Sequence, residues 1–172
     1  LFRSKADDPP RPKTHALLLV EVNGKQWLAD TGFGGMGLLQ PLPLTVGACS
    51  DLPLVSFRLN TTQDGFWLLQ GNQSGQWQDL YAFSLQPAKM VDFEMANYYT
   101  STHSNSPFRN MLFLASTSRQ RRCLLQANQL LVQTADKEER HLLHSATELQ
   151  GVLGDYFKIE FDARLLPNRL FK

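Results

Sequence analysis

A histidine and an aspartate stand where an acid–base pair for nucleophilic catalysis would need them. His15 lies at the start of an apolar run, and Asp30, fifteen residues later, ends a second one. An imidazole held on one side by a carboxylate keeps its other nitrogen available to accept a proton from a nucleophile, as in Cys-His-Asp and Ser-His-Asp triads. His15 and Asp30 are therefore candidates for two members of such a triad.

The segment between these two residues predicts a β-hairpin. Two strand-like runs, 15–22 and 25–30, are separated by Asn23-Gly24, whose residue types accept the positive φ angles of a type I′ turn. Both faces of the first run are largely apolar. We therefore expect the first strand to lie centrally in a sheet that is covered on both sides.

The register of this hairpin decides whether the two candidate residues meet. With a two-residue turn, Val22 faces Lys25 and Leu17 faces Asp30. His15 lies two residues beyond Leu17 on the same face, which makes it a diagonal neighbour of Asp30. Cβ atoms in that relation are roughly 7–8 Å apart or somewhat less, so an imidazole can reach the carboxylate.

Spacing alone leaves a simpler interpretation open, in which His15 is a solvated residue at the end of an edge strand and Asp30 only begins a turn. The glycine-rich loop after Asp30 favours a functional role, because Gly32, Gly34 and Gly35 allow a sharp turn and a close approach of backbone to a ligand. The loop is not a phosphate-binding P-loop, since no Gly-Lys-Ser/Thr follows it.

The rest of the chain predicts a mixed β and α/β protein. Short runs with polar, glycine-containing breaks predict strands at 54–60, 66–70, 76–84, 122–126, 129–134 and 139–144. Helical spacing predicts a helix over 88–99, and a capping box formed by Ser145 and Glu148 opens another over 145–157. We expect an antiparallel β-barrel, closed or strongly curled, followed by a small α/β segment.

Composition and charge exclude several classes of partner. The 172 residues are 42% hydrophobic and 19% charged, with no apolar run long enough to cross a bilayer. Lys and Arg (17) nearly balance Asp and Glu (16), which gives no reason to expect nucleic acid or a membrane as a partner. We interpret Arg119, Arg121 and Arg122, the nearest approach to a basic patch, as a solvated turn.

The two cysteines, Cys49 and Cys123, show neither a CxxC pattern nor the spacing of metal ligands. We interpret them as reduced thiols of a cytoplasmic protein and expect no metal site. His103, His141 and His144 have no partner at an informative spacing, so surface or loop roles are expected for them. The first residues contain no apolar stretch of signal-peptide length, and we expect them to come from the middle of a chain.

Two motifs make the sequence resemble the arylamine N-acetyltransferases. The first runs from Thr14-His15 through Trp27-Leu-Ala-Asp30-Thr-Gly-Phe-Gly-Gly35 to Pro41-Leu-Pro-Leu44, with the family's spacing between histidine and aspartate. The second is Asp92-Phe-x-x-x-Asn97-x-Tyr99-x-x-Thr102-x-x-x-Ser106-x-Phe108. The resemblance extends over about 11–161, and the short separation between the predicted barrel and third domain resembles the bacterial enzymes, including N-hydroxyarylamine O-acetyltransferases.

The resemblance implies a fold of three domains, a helical first domain, a β-barrel and an α/β lid, of which this chain would hold the last two. It would be the C-terminal two-thirds of such an enzyme. We accordingly expect a linker at 1–13 that leads from a missing helical domain, a barrel at 14–86, and an interdomain helix with the lid at 87–172. The oligomeric state is not implied.

The resemblance also implies a ping-pong reaction. A cysteine takes acetyl from acetyl-CoA and passes it to an arylamine, arylhydrazine or N-hydroxyarylamine. His15 would be the partner of the thiol, and Asp30 would orient His15. Phe33 would line the acceptor pocket, and Gly32 and Gly34 would leave backbone room for the acetyl end of the cofactor. Tyr99, Ser106 and Phe108 would bind coenzyme A, although the sequence pattern alone favours helix-face packing for Tyr99 and Phe108 and allows Ser106 simply to cap a turn.

One part of the family pattern is missing. The family's nucleophile lies in an Arg-Gly-Gly-x-Cys segment before the histidine, whereas Cys49 and Cys123 both follow His15 and lack that motif. We therefore expect the 172 residues alone to be inactive. Two alternatives are a catalytically dead homologue that binds coenzyme A or an aromatic ligand, and a cysteine hydrolase-like protein with the same triad plan.

Overall fold

The computed structural model describes residues 12–73 and 75–162. That part of the chain forms eleven strands and three helices. The strands are β1 (Leu18–Val22), β2 (Lys25–Ala29), β3 (Leu42–Pro43), β4 (Cys49–Ser50), β5 (Ser56–Thr61), β6 (Trp67–Gln73), β7 (Gln76–Phe83), β8 (Phe113–Thr117), β9 (Arg122–Gln126), β10 (Gln129–Gln133) and β11 (Glu138–Leu142). The helices are α1 (Met90–Thr102), α2 (Pro107–Asn110) and α3 (Ala146–Phe157).

The first hairpin has the predicted turn and register. Asn23 and Gly24 have φ angles of 52° and 71°, the positive values that a type I′ turn requires at both central positions. Val22 is paired with Lys25 across the turn. Antiparallel pairing then continues along β1 and β2, so the hairpin prediction is confirmed.

The prediction that the first strand lies centrally under cover on both sides is wrong. β1 is the edge strand of a three-stranded sheet in the order β1-β2-β3. All of its residues are exposed, Leu18 to 57% and Val22 to 49%. An apolar pattern on both faces of a strand does not determine its place in a sheet or whether other elements cover it.

The second sheet, in the order β4-β5-β6-β7, carries most of the first hydrophobic core. A β-bulge interrupts the pairing of β6 with β7, because Leu69 pairs with Tyr81 while Gln70 pairs with Asp79. Leu80 is therefore an extra residue in β7. A bulge reverses the alternation of side chains, so Leu80 and Tyr81 are both buried in the core.

The third sheet, in the order β11-β10-β9-β8, packs with α3 around a second core. Half of the predicted capping box is present at the start of α3, where the Ser145 hydroxyl accepts a hydrogen bond from the Glu148 N–H at 3.2 Å. The Glu148 carboxylate accepts from the His144 N–H at 2.9 Å, one residue before the cap, and not from the Ser145 N–H that a capping box requires. Leu149 and Leu153, one turn apart, are the buried residues of this helix.

The predicted closed barrel is not found among the described strands, which form three separate open antiparallel sheets. Turn signals and alternation identify strands and their neighbours along the chain, but they do not determine whether the first and last strands of a sheet meet. The division into a barrel at 14–86 and a lid at 87–172 stays a prediction. Most of the predicted linker, 1–11, lies outside the described residues, as do 163–172.

The shortest elements were not predicted. β3 and β4 have two residues each and α2 has four, which is too short for a periodic signal, and β8 was also overlooked. α1 extends to Thr102, beyond the predicted end of the helix at 99. None of its residues is buried, and Met90, Met95 and Tyr98 are each more than 60% exposed.

The prediction of a solvated arginine turn is wrong for one of its three members. Arg119 and Arg121 are exposed in the connection between β8 and β9, as expected. Arg122, the first residue of β9, is only 5% exposed. The sequence shows three nearby cations without indicating that the strand begins at the third and carries it inward.

Candidate active site

The hairpin brings His15 and Asp30 into direct contact. Nε2 of His15 lies 3.0 Å from each carboxylate oxygen of Asp30. This is the diagonal contact that the hairpin register predicted. The Asp30 side chain is fully buried, whereas that of His15 is 19% exposed, so the pair has one sealed end and one accessible end.

Three further donors complete the environment of the Asp30 carboxylate. The backbone N–H groups of Gly32 and Phe33 donate to Oδ1 at 3.0 and 3.2 Å. Such bonds are typical of an aspartate that begins a turn, because its short side chain reaches the amides that follow. The Tyr81 hydroxyl donates to Oδ2 at 2.7 Å from β7, fifty-one residues along the chain.

These contacts keep the carboxylate ionised in spite of its burial. Burial by itself raises the pKa of Asp30, but the hydrogen bonds from His15, Tyr81 and Gly32 outweigh it and hold the pKa below the ordinary value of 3.8. Burial, together with the nearby Asp30 charge, raises the pKa of Tyr81 above its usual range. At neutral pH Asp30 is therefore an anion and Tyr81 a protonated donor.

Aromatic rings fix the position of the imidazole. The ring centroid of His15 is 5.5 Å from that of Phe33 and 5.7 Å from that of Tyr81, and the Phe33 and Tyr81 rings are 4.7 Å apart in an edge-to-face arrangement. Because Nε2 is committed to Asp30, Nδ1 is the nitrogen that remains to interact with a reacting group. No described residue forms a hydrogen bond with it.

The glycines of the loop have close neighbours within the chain. A Cβ atom at Gly32 would lie 3.6 Å from Cε1 of His15. At Gly34, where φ is +73°, a Cβ atom would lie 3.3 Å from the Phe113 ring. Packing against β8 thus accounts for a glycine at position 34, and the predicted contact with the acetyl end of a cofactor stays a prediction.

Tyr99, Ser106 and Phe108, the predicted coenzyme A residues, lie on or beside α1 and α2 and make no hydrogen bond or ring contact with His15 or Asp30 in the described structure. Tyr99 stacks on His103 with ring centroids 4.4 Å apart. Ser106 is fully buried, and its hydroxyl donates to the Thr100 carbonyl at 2.5 Å. Phe108 is 65% exposed. Of the three, Phe108 has the most surface available to a ligand.

Neither cysteine is placed to act with His15. Cys49 is exposed on β4, where its thiol donates to the Gly47 carbonyl at 3.3 Å. Cys123 is buried in β9, and burial raises the pKa of its thiol in spite of the nearby Arg121 charge. Within the described residues, no three His, Cys, Asp or Glu side chains form a group that could hold a metal ion.

Tyr81 is the site residue that sequence reasoning missed. No motif marks it, since its contact with Asp30 depends on the packing of one sheet against another. The Gly32 and Phe33 amides had a recognisable signal, because an aspartate followed by Thr-Gly favours a turn in which the side chain accepts from backbone N–H groups.

A protein-family model described as N-acetyltransferase matches residues 1–166, nearly the whole chain. The chain belongs to the arylamine N-acetyltransferase family. These enzymes are acyltransferases, and the family expectation drawn from the two motifs is confirmed. Within the described residues no helix is long and apolar enough to cross a membrane.

The chain is also similar to individual members of the family in sequence and in structure. The chain is 36% identical to an arylamine N-acetyltransferase of Escherichia coli over 66% of this chain and 41% of that protein. It is 32% identical to one of Mycolicibacterium smegmatis over 91% of this chain and 58% of that protein. The sequence is 31% identical to that of Mycobacterium marinum arylamine N-acetyltransferase. Its structure superposes on the structure of that enzyme in complex with CoA with a TM-score of 0.86, and the match covers 96% of this chain and 63% of the M. marinum chain.

The chain therefore spans 41% and 58% of the two curated relatives named above. That it corresponds to the C-terminal two-thirds of such an enzyme stays a prediction.

Proposed function

We propose that the protein to which this chain belongs transfers acetyl from acetyl-CoA to an arylamine, arylhydrazine or N-hydroxyarylamine by a ping-pong reaction. Family membership supports this reaction class. The M. marinum relative, whose structure contains CoA, supports coenzyme A as the carrier of the acetyl group. The observation that carries the proposal is the contact of His15, partly exposed, with a fully buried and ionised Asp30.

The proposed roles follow from this geometry. Asp30 holds Nε2 of His15 and stabilises the imidazolium, and Nδ1 accepts the proton of a cysteine thiol. The thiolate attacks the acetyl carbonyl, the C–S bond to coenzyme A breaks, and the departing CoA thiolate takes the proton from His15. The acceptor amine then attacks the thioester, His15 receives the amine proton, and the cysteine leaves as the thiolate.

We assign the nucleophilic thiol to a cysteine outside this sequence. The support is that Cys49 and Cys123 make no contact with His15, and that burial makes the Cys123 thiolate unfavourable. The 172 residues alone should consequently be inactive. If the whole protein also lacked such a cysteine, it would be the alternative, a catalytically dead homologue that binds coenzyme A or an aromatic ligand.

The remaining assignments concern substrate binding. Phe33, packed edge-to-face on Tyr81 beside His15, is proposed to line the acceptor pocket. Gly32 and Gly34 are proposed to lie next to the acetyl end of acetyl-CoA. Tyr99, Ser106 and Phe108 are proposed to contact the rest of the carrier, with Ser106 acting through the position of its loop because its hydroxyl is already bonded to Thr100.

A rapid-quench experiment on the complete protein tests the proposal. Mixing with acetyl-CoA alone should release a burst of one CoA per active site, and addition of an aniline should then give steady turnover. His15→Ala should abolish the burst and lower kcat by at least about 10³-fold. His141→Ala, an exposed histidine on β11, is the matched control and should retain both.

Three results would count against the proposal. Steady hydrolysis of acetyl-CoA without an acceptor-dependent product would indicate a hydrolase. Binding of CoA without a burst would indicate the dead homologue. Turnover by the 172 residues alone, lost on Cys49→Ser or Cys123→Ser, would show that the thiol lies in this sequence.

A further inference from the structure

Gln70 joins three strands on the face of the second sheet that lies opposite the first core. Its side-chain oxygen accepts hydrogen bonds from Nε of Arg58 at 2.7 Å and from Nδ2 of Asn60 at 2.8 Å, both on β5. Its side-chain nitrogen donates to Oδ1 of Asp79 on β7 at 2.6 Å. One amide group therefore bonds β6 to the strand on each side of it.

The charges on either side of Gln70 fix the orientation of its amide. The oxygen faces the Arg58 guanidinium and the nitrogen faces the Asp79 carboxylate. Bonds to ionised groups are roughly twice as strong as bonds between neutral groups. The Arg58 guanidinium also lies over the Trp77 ring of β7, 4.2 Å from its centroid, and all four side chains are half-buried. Half-burial limits competition from water and strengthens these contacts further.

This link lies at the β-bulge between β6 and β7. Gln70 is paired with Asp79, whereas the residue before it, Leu69, is paired with Tyr81. A bulge locally disrupts the backbone hydrogen bonds of a ladder, so the backbones hold the two strands less firmly there. The bond from Gln70 to Asp79 joins the strands through side chains at that point.

Tyr81 follows Asp79 by two residues, on the far side of the bulge. Its hydroxyl donates to Oδ2 of Asp30 at 2.7 Å, the usual length of an O–H···O hydrogen bond. Such a bond weakens as its two oxygens separate. A displacement of β7 at the bulge therefore acts on the environment of the Asp30 carboxylate.

From these contacts we infer that Gln70 is a positioning residue for the pair of His15 and Asp30, because it holds β7 at the bulge and keeps the Tyr81 hydroxyl on the Asp30 carboxylate. In the described structure Gln70 forms no hydrogen bond with His15 or Asp30, so its effect on them is indirect. The catalytic consequence rests on the proposed acetyl transfer, whereas the effect of Gln70 on the bond between Tyr81 and Asp30 does not.

Gln70→Met tests the inference in the complete protein, because methionine has a similar length and removes the amide without changing the charge. We expect kcat to fall by about threefold to fivefold, the effect of weakening one hydrogen bond. The acid limb of the pH–rate profile should move to higher pH, since a weaker bond from Tyr81 raises the pKa of Asp30. Gln78→Met, at an exposed glutamine of β7, is the matched control and should change neither quantity.

A double-variant cycle decides whether Gln70 acts through the tyrosine. In the Tyr81→Phe background the hydroxyl is already absent, so Gln70→Met should lower kcat no further and leave the acid limb where Tyr81→Phe puts it. A general loss of packing would instead add to the effect of Tyr81→Phe.

An exchange of donor and acceptor provides a rescue. Gln70→Glu faces Asp79 with a second carboxylate and should lower kcat at least as much as Gln70→Met. Adding Asp79→Asn to that variant supplies an amide that donates to the new carboxylate, and kcat should return to within about twofold of the wild type. Asp79→Asn alone keeps an oxygen that accepts from Gln70 and should retain nearly full activity.

The proposed function and the role of Gln70 can fail separately. If the wild-type protein transfers no acetyl, the proposed function is wrong, and a ¹³C NMR titration of the Asp30 carboxyl still tests the role of Gln70. A higher Asp30 pKa in Gln70→Met supports that role, and an equal pKa overturns it. It is also overturned by wild-type kcat and acid limb in Gln70→Met, by a full further loss in the Tyr81→Phe background, or by no recovery when Asp79→Asn is added to Gln70→Glu.

Discussion

Asp30 and Arg122 are both buried charges, but their surroundings differ completely. Asp30 is bonded by an imidazole, a tyrosine hydroxyl and two backbone amides, all from the chain itself. Arg122, at the start of β9, has buried Nε and Nη1 atoms with no hydrogen-bond partner among the described residues. The first charge is compensated by hydrogen bonds from described residues, and the second is not.

The two buried charges should respond differently to substitutions around them. A carboxylate with all its acceptor positions filled is rigid and stays ionised, so removing any of its donors disturbs both its pKa and the imidazole that it holds. A buried guanidinium without hydrogen bonds carries a desolvation cost that no such bond offsets, so replacing it with an apolar side chain should cost little stability.

The most severe test of the compensated charge is Asp30→Asn. The asparagine keeps the shape of the side chain, but it cannot stabilise an imidazolium and can donate to Nε2, which favours the wrong tautomer of His15. In the complete enzyme we expect kcat to fall by about 10³–10⁴-fold. Asp79→Asn, a partly buried aspartate bonded to Gln70, is the control and should leave kcat nearly unchanged. Near wild-type turnover in Asp30→Asn would refute the role of Asp30.

Tyr81→Phe sharpens the comparison by removing a single donor from Asp30. The pKa of Asp30 should rise, and kcat should fall by about tenfold because the carboxylate holds His15 less firmly. The acid limb of the pH–rate profile should move to higher pH, a change that loss of packing alone would not produce. Tyr156→Phe, a half-buried tyrosine in α3, should shift neither quantity. An unchanged acid limb in Tyr81→Phe would show that the hydroxyl does not tune Asp30.

Acid stability provides the mildest test. The pKa of Asp30 is lower in the folded protein than its ordinary value of 3.8, so the unfolded chain binds more protons as the pH falls. The stabilisation from Asp30 is therefore complete above that value and is lost as the pH falls through the folded pKa. Each unit of depression contributes about 1.4 kcal/mol. Urea unfolding at pH 7 and at pH 3 should show a smaller loss of stability for Asp30→Asn than for the wild type, and equal losses would contradict this expectation.

The sequence predicted the local part of the site. The Asn23-Gly24 turn defines the register of one hairpin, and that register places His15 next to Asp30 without any further information. The Ser145 cap of α3 was predictable for the same reason, since its partner Glu148 lies three residues away. Interactions within one hairpin or one helical turn leave a recognisable pattern in a sequence.

The nonlocal part was not predictable. Tyr81 reaches Asp30 only after two sheets have packed together, and the buried orientation of Arg122 depends on where β9 begins. The exposed apolar surface of β1 shows the same limit, because the strand pattern indicated a strand covered on both faces, whereas β1 is an exposed edge strand. Closure of the predicted barrel also depends on contacts between distant strands, and a single sequence does not reveal them.

The bulge at Leu80 makes the site depend on how β6 and β7 pair as well as on its residue types. The extra residue turns Tyr81 toward Asp30, whereas regular alternation from Asp79 would place both side chains on the same face. A regular strand that kept one residue between Asp79 and Tyr81 would preserve every chemical group of the site and point the phenol to the opposite side of the sheet, whereas deletion of Leu80 would keep the phenol on its present side and remove a buried core side chain. The position of the phenol therefore depends on the offset in pairing that Leu80 introduces between β6 and β7, and a change that removed this offset without removing a residue should disturb the Asp30 carboxylate.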